Sequence, residues 1–194
     1  MKAAAIILAA GESSRMGRAK AYLPFRAGTF LSSIAGTLGQ YCSPVIAVFG
    51  FDAARLMELA PAGVTAVANP NYEQGMLTSL QTGLRLVPQE CDAVMFTLVD
   101  HPAISAKTVE SLDECDNALI AIPRFAGKRG HPVRIRRAIM AEFLAEPVSS
   151  KVRDVIDRHA SEIAYIEVDD PGVSDDIDDP ALYESLLARE ALRR

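Results

Sequence analysis

The stretch Ala5-Ile6-Ile7-Leu8-Ala9-Ala10-Gly11-Glu12-Ser13-Ser14-Arg15-Met16-Gly17-Arg18-Ala19-Lys20 decides how this chain is read. An apolar β-type run ends at Gly11, a turn of small residues follows, and the cations Arg15 and Lys20 stand on either side of Gly17. This arrangement can seat a polyphosphate at the carboxyl end of a strand. Glycine admits the backbone close to the anion, free N–H groups point at its oxygens, and the cations neutralise its charge. No Gly-Lys-Ser/Thr closes the turn, so it is not a P-loop. It also lacks the glycine spacing of a dinucleotide fingerprint. Spacing alone leaves open a tight strand-to-loop turn with solvated charges.

With 194 residues, 49% of them hydrophobic, the chain can build one sizeable core, and a single domain over residues 1–194 is expected. A net charge of −5 argues against a nucleic-acid surface. Cys42, Cys91 and Cys115 show no metal or disulfide spacing. Reduced thiols in the cytoplasm are the plain expectation. The short N-terminal apolar run leads directly into the glycine turn and does not read as a signal peptide, and no apolar stretch reaches membrane-span length.

Apolar β-type runs recur at 3–8, 45–49, 64–68, 93–98, 119–122 and 163–168. Helix-like segments lie at 30–40, 53–59, 76–86, 105–112, 136–144, 151–158 and 181–192, with Ser105 as an N-cap. The alternation predicts an α/β/α sandwich around a mostly parallel sheet, with ligands beyond the carboxyl ends of the strands. The basic segment 124–132 reads as a loop over the pocket, followed by a short strand at 133–135.

Four further segments sit just after predicted strands or in loops on that rim. After 64–68 comes Asn69-Pro70-Asn71-Tyr72-Glu73-Gln74-Gly75-Met76-Leu77-Thr78-Ser79-Leu80. Gly75 opens a helix whose N-terminus favours anions, and the hydroxyls of Thr78 and Ser79 are expected to face the same mouth. An ordinary capped helix fits as well. After 93–98 comes Val99-Asp100-His101-Pro102, where one carboxylate ends a strand and either holds Mg²⁺ or caps the next turn. The run Asp169-Asp170-Pro171-Gly172-Val173-Ser174-Asp175-Asp176-Ile177-Asp178-Asp179-Pro180 is a solvated acidic turn unless something binds it. Last, Gly127-Lys128-Arg129-Gly130-His131-Pro132 is either a mobile basic hairpin or a grip for a second phosphate.

Taken together, Leu8-Ala9-Ala10-Gly11, Ser14-Arg15-Met16-Gly17, Lys20, Leu23-Pro24-Phe25 and Gly28 resemble the opening of the MobA-like nucleotidyltransferases. Within that family the chain is most like the molybdenum cofactor cytidylyltransferase (MocA) branch. The resemblance implies a Rossmann-like, three-layer fold of GT-A type. It implies that Leu8, Ala9, Ala10, Gly11, Glu12, Ser13, Ser14, Gly75 and Ser79 surround a nucleoside triphosphate, with Ser79 against the base. Arg15, Lys20 and Asp100 are then the catalytic set. Asp100 and Asp178 are the Mg²⁺ ligands, with Asp176 as the alternative to Asp178, and Asp179 stands where the family has threonine. Lys128, Arg129 and His131 are the expected acceptor-binding residues. His101 replaces a glutamine common among relatives and reads as a polar loop residue rather than a general base.

The implied reaction is attack of a phosphorylated acceptor, such as molybdopterin, on the α-phosphate, with loss of pyrophosphate. Ala10 matches the cytidylyl form and favours CTP, since its methyl narrows the base pocket toward a pyrimidine. A molybdoenzyme is the expected downstream client. Two rival readings are a sugar- or polyol-phosphate nucleotidylyltransferase and a non-catalytic nucleotide-binding accessory protein. A dinucleotide oxidoreductase is disfavoured by the missing fingerprint.

Overall fold

Strand β1 (Ala3–Ala9) is buried at every position, and alternate side chains enter two different cores. Ala3, Ala5, Ile7 and Ala9 belong to one cluster, and Ala4, Ile6 and Leu8 to the other. A strand that is apolar on both faces is one with helices on both faces. The structure, a computed structural model, describes residues 2–192, so the extreme ends of the expected 1–194 domain lie outside the described residues.

After β1 come a short hairpin, β2 (Pro24–Phe25) and β3 (Gly28–Thr29), and then α1 (Phe30–Leu38), β4 (Cys42–Phe49), α2 (Ala53–Glu58) and β5 (Val64–Ala68). Next are α3 (Met76–Leu84), β6 (Ala93–Leu98), α4 (Ala106–Asp113), β7 (Ile120–Phe125), β8 (Lys128–Arg129) and β9 (Val133–Arg136). The chain ends with α5 (Arg137–Ala145), α6 (Val152–Arg158), β10 (Ile163–Glu167) and α7 (Pro180–Ala191). Among the described residues the main sheet has eight strands, in the order β10-β7-β9-β6-β1-β4-β5, with β8 paired to β7. β1–β4, β1–β6, β4–β5 and β7–β10 are parallel, and β9 runs antiparallel between β6 and β7. Helices α1, α2, α4 and α7 cover one face, and α3, α5 and α6 the other. The expected three-layer, mostly parallel α/β fold is present.

Two segments differ from the sequence expectation. The segment 124–132 is not a loop over a pocket. β7 continues to Phe125 and turns back as β8 through Ala126 (φ 49°) and Gly127 (φ 79°). Its arginines lie against β10 instead, with the guanidinium carbons of Arg124 and Arg129 at 5.2 and 5.0 Å from the Tyr165 ring centroid. A ring face attracts such cations. The β2–β3 hairpin carries no sequence signature, because two-residue arms are too short to show alternation.

The path of the chain positions the site. It runs outward from β1 to β4 and β5, then returns through α3 to the other side of β1 as β6. The carboxyl ends of β1 and β6 become neighbours, with Leu8 beside Leu98 and the Val99 N–H donating to the Leu8 carbonyl at 3.0 Å. A reversal of strand order is where open α/β sheets bind ligands.

Helix α3 lies very close to the sheet. A Cβ on Gly83 would stand 2.8 Å from Ile6 Cγ2 and 3.2 Å from Val48 Cγ2, so only glycine allows this approach. The clamp holds the last turn of α3 against β1 and β4. Gly83→Val is expected to cost about 1–3 kcal/mol by overpacking. The readout is a lowered urea midpoint at unchanged slope. A variant within about 0.5 kcal/mol of wild type would show that α3 is free to retreat.

Candidate active site

The loop leaving β1 is curled by two left-handed residues, Ser13 (φ 57°) and Gly17 (φ 65°), on either side of a single 3₁₀ turn at Ser14–Met16. The curl lets the Lys20 N–H donate to Ser13 Oγ at 3.2 Å and brings both cations back to the strand ends. Lys20 is buried, at 8% exposure. Its ammonium donates to Asp100 Oδ2 at 3.3 Å and to Asp178 Oδ1. Arg15 donates to Asp178 Oδ2 at 2.5 Å.

Asp100 directly follows β6. Asp178 reaches it because the acidic run is anchored, not because the run is acidic. Asp170 is buried and accepts from Gly172 N at 3.0 Å, Ser105 N at 2.9 Å and the Thr108 hydroxyl at 2.6 Å. The buried Ile177 donates its N–H to the Asp100 carbonyl at 3.1 Å. Asp179 caps α7 by accepting from Leu182 N at 2.9 Å, and Asp175 pairs with Arg189 at 2.6 Å. Asp176 and Asp178 are left to face Asp100, and the three carboxylates offer oxygens within 4.8 Å of one another.

The hydrogen bond from Lys20, with Arg15 in support, holds the Asp178 carboxyl below the usual carboxylate range. Burial, followed by the charges of Asp100 and Asp178, pushes that of Asp176 up. Three carboxylates and two cations leave a formal charge of −3 + 2 = −1 in the cluster. Asp100 Oδ1 is buried without a hydrogen-bond partner. All-oxygen donors, residual negative charge and an orphaned carboxylate oxygen suit a hard divalent cation.

These groups border a cavity of about 350 Å³. Leu8, Ala10, Gly11, Ser13 and Ser14 line it from the β1 side, together with Arg15 and Lys20. Gly75 and Ser79 line it from α3, and Asp100 and Asp178 from β6 and the acidic run. Of the expected nucleotide set, Ala9 and Glu12 do not line this cavity, and Glu12 opens instead on a neighbouring depression with Arg18. Ser79 Oγ accepts from Asn69 Nδ2 at 3.0 Å. Thr78 does not face the mouth as expected. Its hydroxyl lies 2.9 Å from the carbonyls of Asn71 and Gly75 and pins the loop ahead of α3.

The expected acceptor trio is not brought to this cavity. Lys128 is exposed on the β7–β8 hairpin, and Arg129 reaches Asp157 at 3.9 Å. His131 packs on His101, with ring centroids 4.8 Å apart, and on Phe96. Burial, followed by the neighbouring His101, pushes its pKa down to about 3 and favours the neutral imidazole. His101 is itself buried behind Asp100, with Nε2 at 3.6 Å from Asp100 Oδ1. Sequence reasoning also passed over Tyr72 and Met76, which line the cavity. Nothing in their spacing sets them apart from loop and helix-start residues.

Residues 5–163 match the sequence pattern of the MobA-like NTP transferase domain. The chain belongs to the MobA-like NTP transferase family. It is 30% identical over 168 residues to a molybdenum cofactor cytidylyltransferase of Escherichia coli, covering 84% of this chain and 86% of the relative. It is also 30% identical over 161 residues to a probable molybdenum cofactor guanylyltransferase of Mycobacterium avium, covering 80% and 79%. Among solved structures, a nucleotidyl transferase from Methanothermobacter superposes with TM-score 0.85 at 20% identity, over 100% of this chain and 99% of that one. A manganese complex of a Mycobacterium tuberculosis protein superposes with TM-score 0.73 at 23% identity, over 97% and 99%. As a member of this family the protein is a nucleotidyltransferase.

The carboxylate cluster makes a direct expectation about metal. Mn²⁺ titrated into the protein and followed by electron paramagnetic resonance should bind at least about tenfold more weakly to Asp100→Asn than to wild type. Asp175→Asn, paired away to Arg189, should bind as wild type does. Equal Mn²⁺ binding by Asp100→Asn and wild type would remove Asp100 from the metal site.

Proposed function

We propose that this protein transfers CMP from CTP to a phosphorylated acceptor of the molybdopterin type and releases pyrophosphate, with residues 1–194 working as one cytoplasmic domain. The observation that carries the reading is the convergence of Lys20 and Arg15 with Asp100 and Asp178 at one cavity wall. Choice of CTP rests on Ala10, and the acceptor class rests on the names of both relatives.

Crowding two polyanions is the central obstacle of such a reaction. Two unit charges about 4 Å apart repel by roughly 4 kcal/mol at an effective dielectric near 20. Arg15 and Lys20 exchange their carboxylate partners for phosphate oxygens and neutralise the leaving pyrophosphate. Backbone N–H groups from Gly11 to Ser14 hold the phosphates, while Ser79 and the backbone at Ala10 meet the base. Mg²⁺, held by Asp100 and Asp178 with Asp176 beside them, would neutralise charge on the phosphate oxygens. An acceptor phosphate oxygen then attacks the α-phosphorus, and the bond to the β-phosphate breaks with pyrophosphate leaving. Positioning and electrostatics supply most of the acceleration.

The test measures pyrophosphate release with Mg²⁺, molybdopterin or a sugar phosphate as acceptor, and each of CTP, GTP, ATP and UTP. CTP with molybdopterin should react fastest. Lys20→Ala should lower turnover by about 10²-fold or more while keeping the wild-type circular dichroism spectrum. Near wild-type turnover in that variant would discard the role of Lys20, and faster reaction with a sugar phosphate would replace the acceptor.

A further inference from the structure

The cavity has two poles. Its cations and carboxylates crowd where β1 and β6 end. On the other flank of β1, where β4 ends, stands Tyr72, the one aromatic side chain lining the cavity among the described residues.

The seat of Tyr72 is built into the backbone. Gly50 directly follows β4, and a Cβ there would lie 2.4 Å from both Cβ and Cγ of Tyr72 and 2.6 Å from the Ala10 carbonyl oxygen. Only glycine leaves room for the ring to rest on this strand end. The Phe51 N–H donates to the same Ala10 carbonyl at 3.1 Å, so the seat is tied to the end of β1. The Tyr72 hydroxyl is turned to the Glu73 carboxylate at 3.3 Å, at an exposed edge. No aromatic or cationic side chain among the described residues stacks on its ring. A Cβ placed on the cavity-lining Gly11 or Gly75 would meet nothing within 4 Å, so the space beside them is open.

We infer that Tyr72, seated on Gly50, is the stacking wall for the nucleobase. An anion-binding pole and an aromatic pole on opposite flanks of β1 match the two ends of a nucleoside triphosphate. Every base has a π-face, so stacking adds affinity without choosing among bases. Discrimination is left to groups at the base edge, such as Ser79. The inference rests on the nucleotidyltransferase reading above and adds a specific binding residue to it.

Calorimetric titration with Mg²⁺ present uses two probes, CTP and inorganic tripolyphosphate, which has the phosphates without the base. Tyr72→Ala should bind CTP about five- to a hundredfold more weakly than wild type and tripolyphosphate equally well. Tyr72→Phe, which keeps the ring, should bind both as wild type does. Gly50→Ala, which evicts the ring from its seat, should repeat the selective loss. Unchanged CTP affinity in Tyr72→Ala overturns the stacking role while leaving the enzyme reading intact, and so does equal loss of both probes. A wild-type protein that binds tripolyphosphate but no nucleoside triphosphate overturns both.

Discussion

A buried ammonium between carboxylates is the constraint on which this structure turns. Lys20 is 8% exposed, and an unpaired charge at that depth would be costly. Its partners Asp100 and Asp178 lie 80 and 158 positions away in the chain. To satisfy Lys20, the loop after β1, the end of β6 and the run after β10 must meet at one point. The backbone supports the same meeting through Ile177 on the Asp100 carbonyl and Asp170 stapling the run to the start of α4. In the proposed reaction, folding and ligand chemistry use the same charges. In that reaction, each carboxylate that steadies Lys20 or Arg15 shares or surrenders its cation as phosphates arrive.

The residual charge gives the arrangement its direction. With two cations against three carboxylates and His101 kept neutral chiefly by burial, the cluster is one positive charge short. A divalent cation turns that deficit into one net positive charge, a local centre that attracts an anion. The −5 net charge of the chain matters less to an anion at this cavity than the local balance does, and that balance turns positive only with a divalent cation.

Much of this could be read from the chain because it depends on local pattern. The unbroken apolar run of β1 marks a strand covered on both faces, and Gly17 with Ser13–Ser14 marks the turn behind it. The long acidic run was harder, since acidity alone cannot say which carboxylates are structural. Asp170, Asp175 and Asp179 are taken by neighbours distant in sequence or by a helix start, and only the fold leaves Asp176 and Asp178 facing Asp100. The basic hairpin misled for the same reason. Arg129 looks like part of a phosphate grip until Tyr165 and Asp157 are placed beside it, and the partnership of His131 with His101 is invisible over thirty residues of sequence. Tyr72 has no periodic signal, and its seat depends on Gly50, which follows β4 more than twenty residues earlier in the chain.

The most direct measurement of the central claim is the affinity of the intact protein for Mn²⁺ with and without saturating CTP, in wild type and in Lys20→Met. If one cluster serves both ligands, binding is reciprocal, so CTP should tighten Mn²⁺ by about fivefold or more beyond its affinity for free MnCTP. Loss of the Lys20 ammonium should alter that coupling. Mn²⁺ affinity that ignores CTP in both proteins would mean that metal and triphosphate occupy separate places, and the convergence described here would have no bearing on catalysis.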